Sequence, residues 1–292
     1  MTTKFKNNFS TRLLLAINIL TIIFLVLILL KEDYPKKFLN KFKSANSEVT
    51  IKNKVVTMDD LSVMNNTFQP KFKDYVNGKG NQLFKILIIG NSLTSHQIAE
   101  NIGWSHESGM AASNVNKDYA HLLLAKISEK LPNQKIKMRV TNFADFERNP
   151  NILLKNKIDS LIHFKPDIVL FQLGENINEN DIMLFQKKYV ELINYFKKND
   201  KIITICSTPF FPSINKNKMV NIVTTATNSF LVDLSHLTLL DDENYAKNEK
   251  EYQGDKTKWK VNGIGKHPGD KGMKSIADEI FITINAMISQ NQ

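Results

Sequence analysis

A serine hydroxyl that is to attack a carbonyl carbon needs a rigid turn to present it and an imidazole to take its proton. It also needs N–H donors aimed at the oxygen that becomes negative. The segment Gly90-Asn91-Ser92-Leu93-Thr94 follows directly on the apolar run Phe84 to Ile89, so the Ser92 hydroxyl is expected where a buried strand opens into a loop. A glycine turn after a first strand can also cradle a phosphate, but neither the dinucleotide fingerprint nor the P-loop pattern with its lysine is present. These five residues leave open a nucleophile or an ordinary turn serine.

The imidazole must come from one of six histidines. His267 lies in Gly265-Lys266-His267-Pro268-Gly269-Asp270, on a loop held by proline and glycine just before the last helical stretch. His96, four residues beyond Ser92, is a rival base whose short separation better suits a substrate rim, and His106 fits a rim as well. His121, His163 and His236 read as packing or surface residues. No histidine pair has the spacing of a zinc-binding helix, so neither a metal nor a cofactor is expected. Donors for the oxyanion are available at Gly174-Glu175-Asn176, where an amide follows a third strand, and from backbone N–H groups at Ser92 and after the second strand. An asparagine after a strand also serves as a helix cap.

These groups meet only if the elements between them form one sheet. Apolar runs recur at Lys137 to Thr141, Asp167 to Leu173, Ile202 to Cys206 and Phe230 to Leu234. Helical stretches lie between or after them at Asp118 to Leu131, Asn151 to Phe164, Asn180 to Lys198 and Asp270 to Ile288. Strands alternating with helices predict a doubly wound α/β fold with a parallel sheet. Its ligand site lies beyond the carboxyl ends of the strands.

From Leu13 to Leu30 the chain carries no charge, a length and composition that predict a membrane-crossing helix. The stretch ends in Leu29-Leu30-Lys31-Glu32-Asp33 without a small-residue cleavage site, so an uncleaved single-pass anchor is expected. The organisation predicted is a basic tail at 1–12, an anchor at 13–30, a stalk at 31–80 that packs partly on the domain, and the α/β domain at 81–292. A formal charge of +10 suits an anionic partner, but the lysines are scattered and no nucleic-acid module is recognisable, so nucleic acid is not expected. The single cysteine, Cys206, excludes an internal disulfide and reads as a small buried residue.

Over roughly residues 84 to 288 the blocks together resemble the SGNH (GDSL-like) hydrolase family. Gly90, Ser92, Leu93 and Thr94 match its first block, with Asn91 where many members have Asp. Asn142-Phe143-Ala144 stands for the second block, Ala144 replacing the oxyanion glycine. Gly174 and Asn176 match the third, with Ile177 in place of an acidic residue, and His267 and Pro268 match the last. The resemblance implies a flavodoxin-like three-layer sandwich with a mostly parallel five-stranded sheet, and hydrolysis of esters, often acyl groups on carbohydrates. It implies Ser92 as nucleophile, His267 as base, and Ser92, Ala144 and Asn176 as oxyanion donors.

The family's Asp three residues before the histidine is Ile264 here. A backbone carbonyl near Ile264 is the first expectation for orienting His267, with Asp145, Glu147 or Asp255 as distant alternatives. The segment from Gly103-Trp104 to Met110 and Ser113 is similar to a bacterial branch of the same family. It suits a lid or sugar-stacking wall, and equally a loop that Trp104 packs down. Trp104, Met110, Phe143, Glu147 and Glu175 are expected at the substrate, with Phe146 and Arg148 on the rim shared with Phe143 and Glu147.

The function these expectations describe is a membrane-anchored serine esterase that deacylates a carbohydrate, its domain facing the extracytoplasmic side where such a substrate lies. An O-acyltransferase, with a sugar hydroxyl replacing water, and a non-catalytic glycan-binding protein of the same fold are the alternatives.

Overall fold

The computed structural model describes residues 71–152, 155–198 and 201–290. Its centre is a sheet of β1 (Phe72–Asn77), β2 (Gln82–Gly90), β3 (Gln134–Asn142), β4 (Ile168–Phe171), β5 (Ile203–Ser207) and β6 (Phe230–Val232), in the order β1-β3-β2-β4-β5-β6. Eight α-helices lie among the described residues: α1 (Tyr119–Lys130), α2 (Ala144–Arg148), α3 (Lys155–Ile162), α4 (Ile182–Phe196), α5 (Ile214–Thr227), α6 (Leu237–Leu240), α7 (Asn262–Gly265) and α8 (Asp270–Gln290).

The central strands are continuously apolar because both faces of the sheet are covered. On one face Ile86 and Ile88 pack with Leu123 and Ile127 of α1 and with Ile276 and Ile280 of α8. On the other, Leu87 and Ile89 pack with Ile158 of α3, Phe185 and Tyr189 of α4, and Val220 of α5. All four β2 side chains are wholly buried, which stabilises the fold by about 1.5–3 kcal/mol each.

Without β1 the parallel strands follow the order 2-1-3-4-5, the flavodoxin-like arrangement. The chain leaves β2 for β3 on one side and reaches β4 on the other, so a crevice opens at the carboxyl end of β2, where Ser92 stands.

The sheet has six strands rather than the five expected. The addition, β1, falls in the stretch read as stalk and pairs antiparallel with β3, Phe72 opposite Thr141 and Tyr75 opposite Met138. It is an edge strand with one long side in solvent, so it carries Lys73 and Asp74 and no apolar run. Arg139 of β3 holds it through paired bonds to Asp74 at 2.6 and 2.9 Å.

Helix α5 also lay outside the sequence expectations. Ser213 caps it by accepting from the Lys216 N–H at 3.3 Å, and its buried stripe includes two threonines, Thr224 and Thr227. Thr227 satisfies its hydroxyl on the Val223 carbonyl at 2.8 Å. No helix among the described residues is long and apolar enough to cross a membrane. The expected span 13–30 lies outside those residues.

Gly90 closes β2 against Thr94, whose hydroxyl sits 2.5 Å from that of Tyr119 in the core. A β-carbon at position 90 would stand 1.7 Å from Thr94 Oγ1. Gly90→Ala is therefore expected to lower unfolding free energy by about 1–3 kcal/mol, the usual cost of overpacking. Urea denaturation followed by circular dichroism measures it, and an unchanged midpoint would show that the turn does not rely on this contact.

Candidate active site

Gly90 lies beside Asn142 at the ends of β2 and β3. Beyond it the chain turns tightly, the N–H groups of Thr94 and Ser95 donating to the Asn91 carbonyl at 3.0 and 3.1 Å. The Leu93 N–H donates to Asn91 Oδ1 at 3.0 Å, and the Met110 N–H to the Ser92 carbonyl at 2.8 Å. Ser92 is thus fixed from both sides, with its hydroxyl in the cleft.

Ser92 Oγ lies 3.0 Å from His267 Nε2, and His267 Nδ1 lies 2.9 Å from the Gly263 carbonyl oxygen. A carbonyl only accepts, so Nδ1 carries the ring proton and Nε2 turns its lone pair to the serine. The group orienting the imidazole is a backbone carbonyl from the first turn of α7. Asp145 instead pairs with Arg148, Asp255 caps its own turn through Thr257, and Glu147 bonds elsewhere.

The histidine loop is anchored by the Ala246 N–H on the His267 carbonyl at 2.9 Å and the Gly269 N–H on the Asn244 carbonyl at 3.1 Å. Phe211 meets the imidazole edge-on at 5.8 Å. Burial, with His96 nearby, pushes His267 down to about 4.

Glu147 of α2 is wholly buried. Its carboxylate accepts from Asn91 Nδ2 at 3.2 Å, the Glu175 N–H at 3.0 Å, Asn176 Nδ2 at 2.5 Å and the Gly174 N–H. Burial pushes this carboxyl upward, and the four donors pull it back. Every partner is a donor, as an ionised carboxylate requires.

Asn91 fits this charge where an aspartate would not, since its amide gives one N–H to Glu147 and its oxygen caps Leu93. Gly174 reaches Glu147 at a φ of +134°, and a β-carbon there would meet Pro209 Cγ at 2.7 Å.

Ser92 and Asn176, two of the expected oxyanion donors, both line the cleft. The Ser92 N–H has no acceptor among the described residues, and the Asn176 amide, held by Glu147 through one hydrogen, keeps another. Ala144, expected as the third donor, also lines the cleft, but its N–H already donates to Asn142 Oδ1 at 2.8 Å in the turn that leads into α2.

The cleft has a volume of about 1020 Å³ and brings together Ser92, His267, Asn176, Met110, His96 and Arg148. Four residues expected at the substrate lie elsewhere. Phe143 is in the core beside Phe146, which is buried too, because the chain dives between β3 and α4 there. Glu147 is beneath the site. Glu175 faces the loop after β5, accepting from the N–H groups of Phe210 and Phe211 at 2.6 and 3.3 Å. Burial, with Glu147 adding, pushes it up to about 8.

Trp104 packs its loop down against Met110, Ala111, Ala246 and Ile264, its ring 4.1 Å from that of His106. The Gly263 carbonyl is the backbone carbonyl near Ile264 that sequence reasoning put first, whereas the supporting role of Glu147 was not named. Only the missing Asp at position 264 signalled the first, and a lone glutamate on a short helix gave no signal of the second.

No protein-family model matches the chain, and no curated protein sequence matches it. Among solved structures it is similar to an acetyl xylan esterase, AlAXEase, at 16% identity and a TM-score of 0.46, over 69% of this chain and 100% of that one. A two-domain esterase active on acetylated mannans, co-crystallized with mannopentaose, is similar at 13% identity and a TM-score of 0.47, over 70% of this chain and 50% of that one. A family two carbohydrate esterase from Cellvibrio japonicus is similar at 12% identity and a TM-score of 0.43, over 72% of this chain and 62% of that one. The chain thus spans about half the length of the two-domain esterase. What those enzymes act on belongs to them, and the chemistry of this chain rests on its own site.

Asn91→Asp would place a second carboxylate against Glu147 and remove the amide donor. The variant is expected to lose roughly 3 kcal/mol of stability at pH 8, as a buried charged group left without its donor does. One carboxyl of the new pair takes a raised folded-state pKa, so the penalty is full above that pKa and shrinks as pH falls through it. Urea unfolding at pH 8 and pH 5 checks this, and an equal deficit at both would mean the two carboxyls do not interact.

Proposed function

We propose that this chain is a serine ester hydrolase of the SGNH type that removes acyl groups, acetyl foremost, from a carbohydrate, and that residues 13–30 hold its domain at the extracytoplasmic face of a membrane. The observation that carries the catalytic reading is the 3.0 Å contact from Ser92 Oγ to His267 Nε2 at the floor of an open cleft. The resemblance of the motif blocks and the polar walls of the cleft support a carbohydrate.

Ser92 Oγ attacks the ester carbonyl carbon as His267 Nε2 takes the hydroxyl proton. The oxygen that gains the electron pair is met by the Ser92 N–H and the Asn176 amide. His267 then passes its proton to the sugar oxygen, the carbon–oxygen bond to the sugar breaks, and the acyl group stays on Ser92. Water gives a proton to Nε2 and attacks the acyl carbon, the bond from that carbon to Ser92 Oγ breaks as Nε2 returns the proton to Oγ, and the acid leaves. Throughout, Nδ1–H donates to the Gly263 carbonyl, which holds the ring in one tautomer. Acyl transfer shares the first half of this sequence, and the products formed with and without an acceptor sugar separate the two.

The full-length chain is expected to release acetate from acetylated glycans and nitrophenol from nitrophenyl acetate. Ser92→Ala and His267→Ala should each lower kcat by about 10³-fold or more. Hydrolysis that persists in Ser92→Ala would remove the reading.

The pH profile gives a separate check. His267 held near 4 is neutral, and so able to accept a proton, above that pH. Hence kcat/KM should rise with pH through a limb centred near 4 and be level from about 5.5 to 8. A limb at about 6.5, the ordinary histidine value, would mean that the base is solvated or is another histidine.

A further inference from the structure

Strand β1 runs against its neighbour, so its first residues arrive at the carboxyl edge of the parallel sheet, beside the site. Phe72 pairs with Thr141, one residue before Asn142, and Thr141 Oγ1 donates to the Lys71 carbonyl at 2.9 Å. Lys71 and Lys73 therefore line the same cleft as Ser92 and His267. Lys73 is ion-paired with Glu107, both side chains about two-fifths exposed. Lys71 has no carboxylate partner among the described residues.

On the wall formed by α2, Arg148 pairs with Asp145 at 3.1 Å, the two side chains 57% and 70% exposed, and reaches Asn176 Oδ1 at 3.5 Å. Among the described residues the cleft thus carries three lysine and arginine cations against two carboxylates. Both ion pairs are solvated and weak, so a ligand anion can replace either protein carboxylate at little cost. A volume of about 1020 Å³ lies at the upper end of the about 300–1,000 Å³ typical of small-ligand pockets, leaving room for sugars beside the acylated one.

We propose that this cationic wall selects an acidic glycan. An anionic group on a sugar near the ester, a carboxylate or a phosphate, binds Lys71 and Lys73, while Arg148 contacts a second anion on the opposite side. The proposal rests on the esterase reading of the same site and adds the charge of the substrate to it.

The test compares the full-length chain on acetylated polygalacturonate, which carries carboxylates, acetylated poly(glycerol phosphate), which carries phosphates, and neutral acetylated xylan, with nitrophenyl acetate as reference. At low salt, kcat/KM on at least one anionic polymer should exceed that on xylan by about tenfold or more, and the advantage should fall as salt rises. The preferred polymer identifies the anion. Lys71→Gln combined with Lys73→Gln should lower the ratio of anionic-polymer rate to nitrophenyl acetate rate about tenfold, and Lys71→Arg with Lys73→Arg should keep it. Equal rates on the anionic and neutral polymers, or an unmoved ratio in the glutamine variant, would overturn the proposal.

Calorimetric binding of unacetylated polygalacturonate, poly(glycerol phosphate) and xylan to the Ser92→Ala chain separates the two readings. Binding of an anionic polymer that the glutamine substitutions abolish supports the cationic wall even if ester hydrolysis proves independent of Ser92. No preference over xylan counts against the wall whatever the hydrolysis result.

Discussion

A carboxylate out of reach of water is tolerated only when donors meet its oxygens, and Glu147 satisfies that demand by drawing on two loops at once. It stands on α2, just after β3. Asn91 approaches from the end of β2, and Gly174, Glu175 and Asn176 from the end of β4. Three adjacent strands are therefore tied together at the edge where the serine emerges. The tie also sets a direction, since the Asn176 amide gives one hydrogen to Glu147 while its oxygen faces Arg148 at 3.5 Å. The other amide hydrogen is left to the cleft. A site built on strand ends would otherwise depend on loops free to shift by more than catalytic geometry allows.

The histidine side of the site is built by different means. Gly263 is the second residue of a four-residue helix, and its carbonyl, which also takes the Lys266 N–H at 3.2 Å, accepts a hydrogen bond from Nδ1–H. A carbonyl fixes the tautomer as a carboxylate would, but it offers a dipole where a carboxylate offers a charge. Under the proposed mechanism an imidazolium at His267 would gain less stabilisation from this dipole, and burial already holds the group down to about 4.

Much of this architecture was legible in sequence because burial writes itself as apolar runs. Ile86 to Ile89 and Ile168 to Phe171 are buried on both faces and could be placed without knowing their neighbours. Strand β1 was not legible, since its alternation is carried by Lys73 and Asp74, whose partner Arg139 lies 65 residues away from Asp74. Helix α5 buries threonines whose hydroxyls bond back to their own helix, so its inner face looks polar in the sequence. Within the site, Ser92 and His267 stood out by their setting in glycine- and proline-bounded turns. Glu147 did not, because an ionisable residue is presumed exposed, and for Trp104 the sequence left ligand contact and loop packing equally open. In each case the outcome was decided by partners distant in sequence.

The two departures from the motif blocks that the sequence resembles act in the same direction. Asn91 removes a carboxylate from the turn before Ser92, and Ile264 removes one from the turn before His267. The carboxylate that is present, Glu147, lies beneath the turn with its oxygens turned to four donors, so little of its charge is left to face the imidazole. Among the described residues no carboxylate bonds to His267, and its pKa is lowered first by burial, with His96 adding to the same direction. In the proposed mechanism such a base is weak, and it is neutral above about pH 4. Its competence rests on where Nε2 points, which the Gly263 carbonyl fixes, more than on how strongly it binds a proton. Geometry held by backbone and amide groups thus stands in for the missing charge.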